Sequence, residues 1–365
     1  MRAALPTALA RTQGSDGAIR RLIALALLAG GVVAATGPAP ESPTQAAAAF
    51  PWQRVGVDAA QLAALERGTP VVKVLDTRNQ RDVAVFGIIR VGVSRDAYEA
   101  RMVDFTTSLA APTRPRFGIF HDPAVASDVA DAVISRNEVD DARTCRPGKC
   151  KFKLPATEMQ RISAGIDWSP GADPSGQLNR YLRQRLVEFA TDYRTRGDSA
   201  MLVYDDVRGV HASDAFADLL EQVRQIYDDI PSLRKYFATY PHATLAGGHD
   251  VLFWAQDSMP GLKSVLAVTH EIVYQPPEFA GVTLMAAKEI YAGHYFEAAF
   301  DLTAILDHPA RSESPGVYLV VLRLMRFDNL SSGPIVSVRG KVIGKLRNQL
   351  RADLERQKAN AERER

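Results

Sequence analysis

The sequence has few of the features that mark disulfide-rich, nucleic-acid-binding or membrane-spanning proteins. Only two of its 365 residues are cysteine, which excludes a disulfide-rich scaffold. The net charge of +2 provides no general basic surface for nucleic acid. With 46% hydrophobic and 24% charged residues, the composition is that of an ordinary globular protein with a substantial core.

The signature motifs of several enzyme classes are also missing. The seven histidines show no H-E-x-x-H spacing, and the chain has no G-x-S-x-G elbow and no phosphate-binding loop. The glycine-rich "AGGHD" (246–250) lacks the lysine and the helix of such a loop, so it predicts a turn. We therefore expect no metal and no cofactor, with a zinc site assembled from distant strands as the alternative.

The N-terminus has the pattern of an export signal. Arg20 and Arg21 precede the apolar run 22–35, and four alanines follow at 46–49. The run is shorter than the roughly 20 residues that span a bilayer. We predict a signal peptide and linker over 1–49 and a periplasmic or secreted mature protein. An uncleaved N-terminal anchor is the alternative.

The charge that remains after such a cleavage is balanced. The mature chain would have 40 basic and 40 acidic residues, so we expect a monomer that binds no nucleic acid. The one basic excess is 335–365, with nine Lys or Arg against four Asp or Glu. It predicts the solvated face of a helix, and weak attraction to a membrane surface of anionic lipid is the alternative.

The two cysteines lie close together in "CRPGKC", from Cys145 to Cys150. Pro147 and Gly148 occupy the central positions of a type II turn, which brings the flanking cysteines within disulfide reach. In an exported protein such a pair predicts a disulfide. The loop is short, so we expect the disulfide to act as a local structural link.

Hydrophobic periodicity predicts helices and strands along most of the chain. Helix 57–70 carries Asp58 and Gln61 at capping-box spacing, and Ser94 is a candidate cap for the helix that follows it. The predicted helices are 57–70, 95–109, 179–197, 213–230, 231–240 and one from Ile335, and the predicted strands are 71–77, 82–93, 262–275, 282–306 and 316–328.

The run 282–306 is very long for one strand and contains "KEIYAGHYFEAAFDL" (288–302). We expect it to be bent or bulged at Gly293, and a helix beginning near Phe296 is the alternative. Alternation along the strand places Lys288 and His294 on one face and the tyrosines and glutamates on the other.

The order of these elements resembles the helix-grip fold of the START-related superfamily, which includes polyketide cyclases and lipid-transfer domains. The resemblance covers 83–105, where a strand leads into a capped helix, and 263–354. It implies an α+β fold in which an antiparallel sheet wraps around a long C-terminal helix. The domain would span 50–365, with a large, mainly helical middle insertion at 113–260. It also implies a pocket for a hydrophobic or amphipathic molecule between the sheet and that helix.

Polar side chains on otherwise apolar strands are the candidate ligand contacts. A buried charge must be paired or must contact a ligand, because an isolated one is very costly. The structural alternative is that the histidines are satisfied within the sheet and that Arg323 pairs with Glu271 or Glu289. The candidates are His270, Tyr274, Lys288, His294 and Arg323.

Three functions are compatible with this pattern. The first is an exported binding protein for a hydrophobic small molecule or lipid. The second is a cyclase- or hydrolase-type enzyme that uses the same pocket with a histidine as acid or base. The third is a non-catalytic scaffold of the cell envelope. We prefer the binding protein, because the chain has no nucleophile motif.

Overall fold

The computed structural model describes residues 55–102, 114–257, 263–308, 316–330 and 338–363. Its strands are β1 (Val71–Leu75), β2 (Asp82–Val91), β3 (Arg116–Ile119), β4 (Val203–Tyr204), β5 (Val210–His211), β6 (His249–Asp257), β7 (Val265–Tyr274), β8 (Val282–Ala292), β9 (Phe296–Asp307) and β10 (Val317–Phe327). Eight of them form one antiparallel sheet in the order β1-β2-β10-β9-β8-β7-β6-β3, and β4 pairs with β5. The strands β6 to β10 are therefore neighbours both in sequence and in space, and β2 joins them by pairing with β10.

Helices precede the sheet, follow it and fill the middle of the chain. They are α1 (Ala59–Glu66), α2 (Arg95–Met102), α3 (Arg136–Arg143), α4 (Ala156–Gly165), α5 (Pro174–Arg196), α6 (Ala212–Leu220), α7 (Arg224–Tyr227), α8 (Pro231–Thr239) and α9 (Val338–Arg363). Short 3₁₀ turns lie at Ala126–Val129, Gly197–Ala200 and Glu221–Val223. An antiparallel sheet, a long C-terminal helix and a helical middle region confirm the predicted fold class.

Two local sequence signals have the predicted structural effect. Asp58 Oδ1 accepts a hydrogen bond from the Gln61 amide at 2.8 Å, and Gln61 Oε1 accepts one from the Asp58 amide at 3.1 Å. This reciprocal capping box begins α1. Ser94 Oγ accepts from the Ala97 amide at 3.3 Å at the start of α2.

The C-terminal helix packs on one face of the sheet, at the β1–β2 end. Leu350 and Leu354 are fully buried there against Val85 and Ile89. The approach is close, because a Cβ at Gly87 would lie 2.8 Å from Leu354 Cδ1 and 2.9 Å from Leu350 Cδ2. A side chain at residue 87 would push the helix away from the sheet.

The helical middle of the chain covers the opposite face. There α6 and α8 pack over the central strands through Phe216, Leu219 and Phe237, which meet Phe300 of β9. Nearer the β6 edge, Tyr193 of α5 belongs to a core with residues of β6, β7 and β8. A smaller core joins α3, α4 and α5. The sheet is therefore covered by helices from two distant parts of the chain.

The prediction of one bent strand over 282–306 is wrong. The run forms two antiparallel strands, β8 and β9, joined by a turn at residues 293–295. In this turn Tyr295 has φ +65°, a left-handed conformation that is uncommon outside glycine. In the sequence, the alternation of apolar and polar residues continues through residues 293–295, so the pattern gives no sign of the turn. The β7–β8 register also shifts between Val268 and Thr269, which leaves Ile290 of β8 as an extra residue. As a result, the consecutive residues Ile290 and Tyr291 both belong to the core that contains Tyr193.

Three predictions fall wholly or partly outside the described residues. These are the signal peptide and linker at 1–49, the part of the helix 95–109 beyond Met102, and the start of the last helix near Ile335. All described residues belong to one compact unit. In this part of the chain, every helix is too short or too polar to cross a bilayer.

Candidate functional site

The predicted site residues lie in three separate places. His270, Lys288 and Tyr274 lie on the sheet face under α6 and α8. His294 lies in the turn between β8 and β9, beside a cavity. Arg323 lies on the opposite face, toward α9. The chain therefore does not bring all five into one site.

His270 is buried in a cluster of tyrosines, with 1% of its surface exposed. Its Nδ1 lies 3.0 Å from the Tyr193 hydroxyl and its Nε2 lies 3.1 Å from the Tyr236 hydroxyl. The ring of Tyr240 packs against it with a centroid separation of 4.4 Å. Burial lowers the pKa of His270, although Asp250 at 3.4 Å opposes the shift. The imidazole is therefore held in the neutral form.

Lys288 lies directly opposite His270 in the β7–β8 register and is 0% exposed. Its ammonium group pairs with Asp198 and lies 4.3 Å from the centroid of the Phe216 ring. Burial lowers the pKa of Lys288 and Asp198 opposes this. We call His270, Lys288, Asp198, Tyr193 and Tyr236 the histidine–tyrosine cluster. None of them lines the cavity described below.

Tyr274 lies further along the same face, away from His270. Its hydroxyl lies 3.2 Å from Ser232 Oγ, and Ser232 also donates to Glu278 at 2.8 Å. Burial raises the pKa of Tyr274. Its hydrogen bond is thus made to α8, within the fold.

Arg323 pairs with other acids than the two predicted. Its Nε lies 2.9 Å from Asp301 Oδ2, and its Nη1 lies 3.6 Å from Asp353 Oδ2 of α9. Asp301 is directly opposite Arg323 in the β9–β10 register, whereas Glu271 and Glu289 lie on β7 and β8. The arginine therefore joins the sheet to the C-terminal helix.

The two glutamates that were predicted to pair with Arg323 are instead buried among other acids. Burial raises the pKa of Glu271 to about 7, although Arg114 opposes it, and raises the pKa of Glu289 to about 8. Glu289 Oε1 is buried and has no hydrogen-bond partner within the described part of the chain. Both carboxyl groups therefore hold protons at far higher pH than ordinary glutamates.

A cavity of about 90 Å³ lies between α3, α4 and α5 and the strands β6, β7 and β8. Most of its wall is apolar and comes from residues such as Leu178, Leu186, Phe152 and Leu266. Five charged or amide side chains complete it. They are Glu138, Glu158, Arg185, Gln256 and His294.

His294 is bonded on both ring nitrogens at the cavity wall and is 3% exposed. Nδ1 lies 2.6 Å from the Lys151 carbonyl oxygen, and Nε2 lies 3.0 Å from Glu138 Oε1. A carbonyl oxygen only accepts hydrogen bonds, and so does an ionised carboxylate. Both bonds therefore form together when His294 is a doubly protonated imidazolium.

Glu138 is held as the ionised partner of this pair. Its burial alone would raise its pKa, but hydrogen bonds from His294 and from Ser135 bring the pKa of Glu138 below its ordinary value. The Ser135 amide donates to Glu138 Oε2 at 2.8 Å, which is the capping contact at the start of α3. The same carboxylate thus caps a helix and binds the imidazolium.

The predicted disulfide links the two segments that hold His294. Cys145 follows α3, which carries Glu138, and Cys150 directly precedes Lys151. Between them Arg146 and Lys149 pair across the turn, and Gly148 has φ +76°. This is the glycine position that a type II turn requires. The link is therefore next to the cavity.

A second ion-paired group lies on the cavity wall. Glu158 Oε2 lies 3.1 Å from Arg185 Nε and accepts a hydrogen bond from the Tyr181 hydroxyl. Burial and the neighbouring Glu158 raise the pKa of Tyr181. The hydroxyl therefore stays protonated and donates to Glu158, which also pairs with Arg185.

Several of these residues were not predicted as site residues. Glu138 carries one local signal, the capping-box spacing from Ser135, which marks a helix start and not a cavity. Gln256 lies on β6, and that strand was not predicted, although "VLFWAQD" (251–257) is rich in strand-forming residues. Tyr193 and Tyr236 lie in the helices predicted over 179–197 and 231–240, and neither was predicted as a site residue.

Metal binding finds no support in this geometry. Within residues 55–363, leaving out the undescribed segments, no three His, Cys, Asp or Glu side chains are placed to hold an ion. The comparisons add no relative, since no protein-family model, no curated protein and no solved structure matches the chain. The resemblance to the START-related superfamily stays a prediction.

Proposed function

We propose that the protein is an exported binding protein for a small hydrophobic or amphipathic molecule, held in the cavity beside His294. The observation that carries this proposal is an apolar cavity wall with a few buried polar groups. This is the usual composition of a small-molecule site. The proposed site therefore lies in the helical middle of the chain. The sequence resemblance had implied a site between the sheet and the C-terminal helix.

The size of the cavity limits what it holds. A single water molecule needs about 10 to 15 Å³, so a cavity of about 90 Å³ has room for roughly six to nine groups of that size. Pockets for drug-sized ligands are roughly 300 to 1,000 Å³. The ligand is therefore a small molecule, or the end of a longer chain that enters between the helices.

The polar part of the wall is fixed before any ligand arrives. His294 bonds Glu138, and Glu158 bonds both Arg185 and Tyr181. Preformed polar groups lower the ordering cost of binding. This favours a binding function for the cavity over a role as an accidental packing gap.

The proposal is tested by purifying the protein under native conditions and identifying extracted small molecules by mass spectrometry. Leu178→Trp fills the cavity from α5, and Ala142→Leu does so more gently from α3. Leu62→Trp, at an exposed position of α1, is the matched control. We expect a molecule that copurifies with the wild type and the control and is lost from both cavity variants. Equal recovery from all four proteins contradicts the proposal.

Export is supported by the signal pattern at 1–49 and by the Cys145–Cys150 disulfide. Disulfides persist in oxidising compartments and are rare in the cytosol. N-terminal sequencing of the mature protein from cell fractions tests this. We expect a cleaved chain with oxidised cysteines outside the cytosol. An uncleaved chain there with free thiols would refute it.

A second candidate function is favoured by the His294–Glu138 pair. His294 and Arg185 both line the cavity, so a substrate that displaced Glu138 from His294 would meet an imidazole suited to general acid–base catalysis, with Arg185 beside it to stabilise negative charge. Small esters are the first substrates to test, with wild type compared with His294→Gln. Turnover above background that is lost in the variant supports an enzyme. Equal turnover in both proteins removes this candidate.

A further inference from the structure

One polar atom at the cavity wall has no partner. Gln256 of β6 lines the cavity and is only 6% exposed. Its Oε1 is buried and receives no hydrogen bond from any residue that the structure describes. A buried acceptor left unsatisfied is unfavourable by roughly the energy of one hydrogen bond, so it attracts a donor.

The orientation of this amide is set by its other end. Gln256 Nε2 donates to the Val133 carbonyl oxygen at 2.7 Å. Reversing the amide would place two acceptors against each other at that contact. The unpartnered atom of this cavity-lining residue is therefore the carbonyl oxygen, which accepts and cannot donate.

The ionisable side chains around the cavity are paired with one another. Glu138 bonds His294 and Glu158 bonds Arg185, so neither carboxyl group is left without a partner on the cavity wall. A charged ligand would enter a desolvated site with no free counter-charge, and this is strongly unfavourable. This pairing thus favours a neutral ligand.

We infer that the cavity selects a small neutral alcohol, whose hydroxyl donates to Gln256 Oε1 and whose alkyl part contacts the apolar wall. This inference rests on the proposed binding function and adds the chemical class of the ligand. It distinguishes an alcohol from a hydrocarbon, which leaves Oε1 unsatisfied. It also distinguishes an alcohol from a carboxylate, which offers no donor and brings an unpaired charge.

The inference is tested with three probes of similar length, namely 1-pentanol, n-hexane and pentanoate. Their affinities are measured by nuclear magnetic resonance titration of the methyl groups of Leu178, Leu186 and Leu266. Gln256→Leu removes the acceptor, and Gln349→Leu, at an exposed glutamine of α9, is the matched control. We expect Gln256→Leu to weaken 1-pentanol about three- to tenfold and not to weaken hexane. The control should change neither affinity.

Other outcomes separate this inference from the proposed function. If Gln256→Leu changes 1-pentanol and hexane equally, the hydroxyl contact is wrong and the cavity still binds. If no probe shifts any cavity methyl in the wild type, the binding function itself fails, and the inference with it. If Gln256→Leu does not fold, the wild type alone decides. Pentanoate must then bind at least about tenfold more weakly than 1-pentanol, and equal affinity overturns the inference.

Discussion

Two histidines are buried against the same sheet, and their nearest hydrogen-bond partners differ. His270 has tyrosine hydroxyls on both nitrogens, with Asp250 further away at 3.4 Å from Nε2, and a hydroxyl either donates or accepts. A neutral ring satisfies both contacts. His294 has a carbonyl oxygen and a carboxylate, so only a charged ring satisfies both. Burial alone therefore does not set the protonation state, and the hydrogen-bonding capacity of the partners decides it.

The two places also differ in what fills the space around the ring. His270 contacts Tyr193, Tyr236, Phe237 and Tyr240 through their rings. His294 packs on Phe152 on one side and lines a cavity. The histidine–tyrosine cluster thus has the composition of a polar network that fixes a core, while the cavity leaves room for a ligand.

The turn that carries His294 is held by unusual constraints. Tyr295, the next residue, has a left-handed backbone and is held at both ends. Its hydroxyl accepts from the Lys263 amide at 2.9 Å, and its carbonyl accepts from the Asp328 amide at 2.9 Å. A non-glycine residue persists in this conformation only when its surroundings fix it. The cluster around His270 lies on regular strands and helices.

The largest expected effect tests the packed region. Asp198→Asn leaves the Lys288 ammonium buried without a counter-charge, and we expect a loss of about 3 to 5 kcal/mol in the free energy of unfolding. Lys288→Met should cost much less, because the side chain of Asp198 is 39% exposed and water can solvate it. Urea unfolding of both variants and of the double variant measures this.

The control for this comparison is an exposed pair on α5. Asp192 and Arg196 are half-exposed, so Asp192→Asn should change the unfolding free energy by no more than about 0.5 kcal/mol. The double variant, Asp198→Asn with Lys288→Met, should recover most of the stability that Asp198→Asn loses. If the double variant is as unstable as the single one, the ammonium is not the cause.

The next effect separates the two histidines directly. We expect His270→Gln and His294→Gln each to cost about 1 to 3 kcal/mol in unfolding free energy, because each disturbs buried hydrogen bonds. Only His294→Gln should change ligand preference, since it leaves Glu138 without its cation. Titration with pentylammonium should show a gain of about tenfold in affinity for His294→Gln. The same gain for His270→Gln would remove the distinction between the two regions.

Local sequence signals were enough for most of the fold. The capping box of α1, the β1–β2 hairpin, the apolar stripe of α9 and the Cys145–Cys150 turn each depend on residues a few positions apart. Such signals are visible in periodicity and spacing. The turn at 293–295 was hidden because its residues continue the alternation of the flanking strands.

The candidate site was less predictable, because its contacts join distant parts of the chain. His294 and Glu138 are 156 residues apart, and Tyr193 and His270 are 77 residues apart. Periodicity showed that both histidines are buried but not which helices cover them. The partner of Arg323 could not be predicted for a similar reason. Asp301 is its partner because the pairing of β9 with β10 places the two residues opposite each other. The neighbouring strand β9 was not predicted as a separate strand, because 282–306 was predicted as a single one.

A smaller effect on the unfolding free energy is expected from removing the Cys145–Cys150 disulfide, which lies near the cavity and not near His270. Replacing Cys145 and Cys150 with serine should lower the unfolding free energy by about 2 kcal/mol, as a short loop predicts. Because the link connects the segments of Glu138 and Lys151, hydrogen exchange should rise near His294 and stay unchanged at His270. Urea unfolding and amide exchange measure the two effects. An equal rise in exchange at both histidines would contradict a local role.

The smallest expected effect is a pH dependence that belongs to the packed region. Burial lowers the pKa of His270 from 6.5, so below that pH the unfolded chain binds a proton that the folded protein does not. Stability is therefore complete above pH 6.5 and falls as the pH decreases toward the folded pKa, by at most about 1.4 kcal/mol per pH unit. Asp250 opposes this loss, and the charge of Lys288 adds to it.

Unfolding free energies measured from about pH 7 to about pH 5 test the assignment to His270. His270→Gln removes the titrating group and should flatten the slope over this range. His211→Gln, at an exposed histidine, is the control and should leave the slope unchanged. If wild type and His270→Gln have parallel slopes, the buried neutral imidazole is not the source. The contrast with His294 would then rest on hydrogen-bond geometry alone.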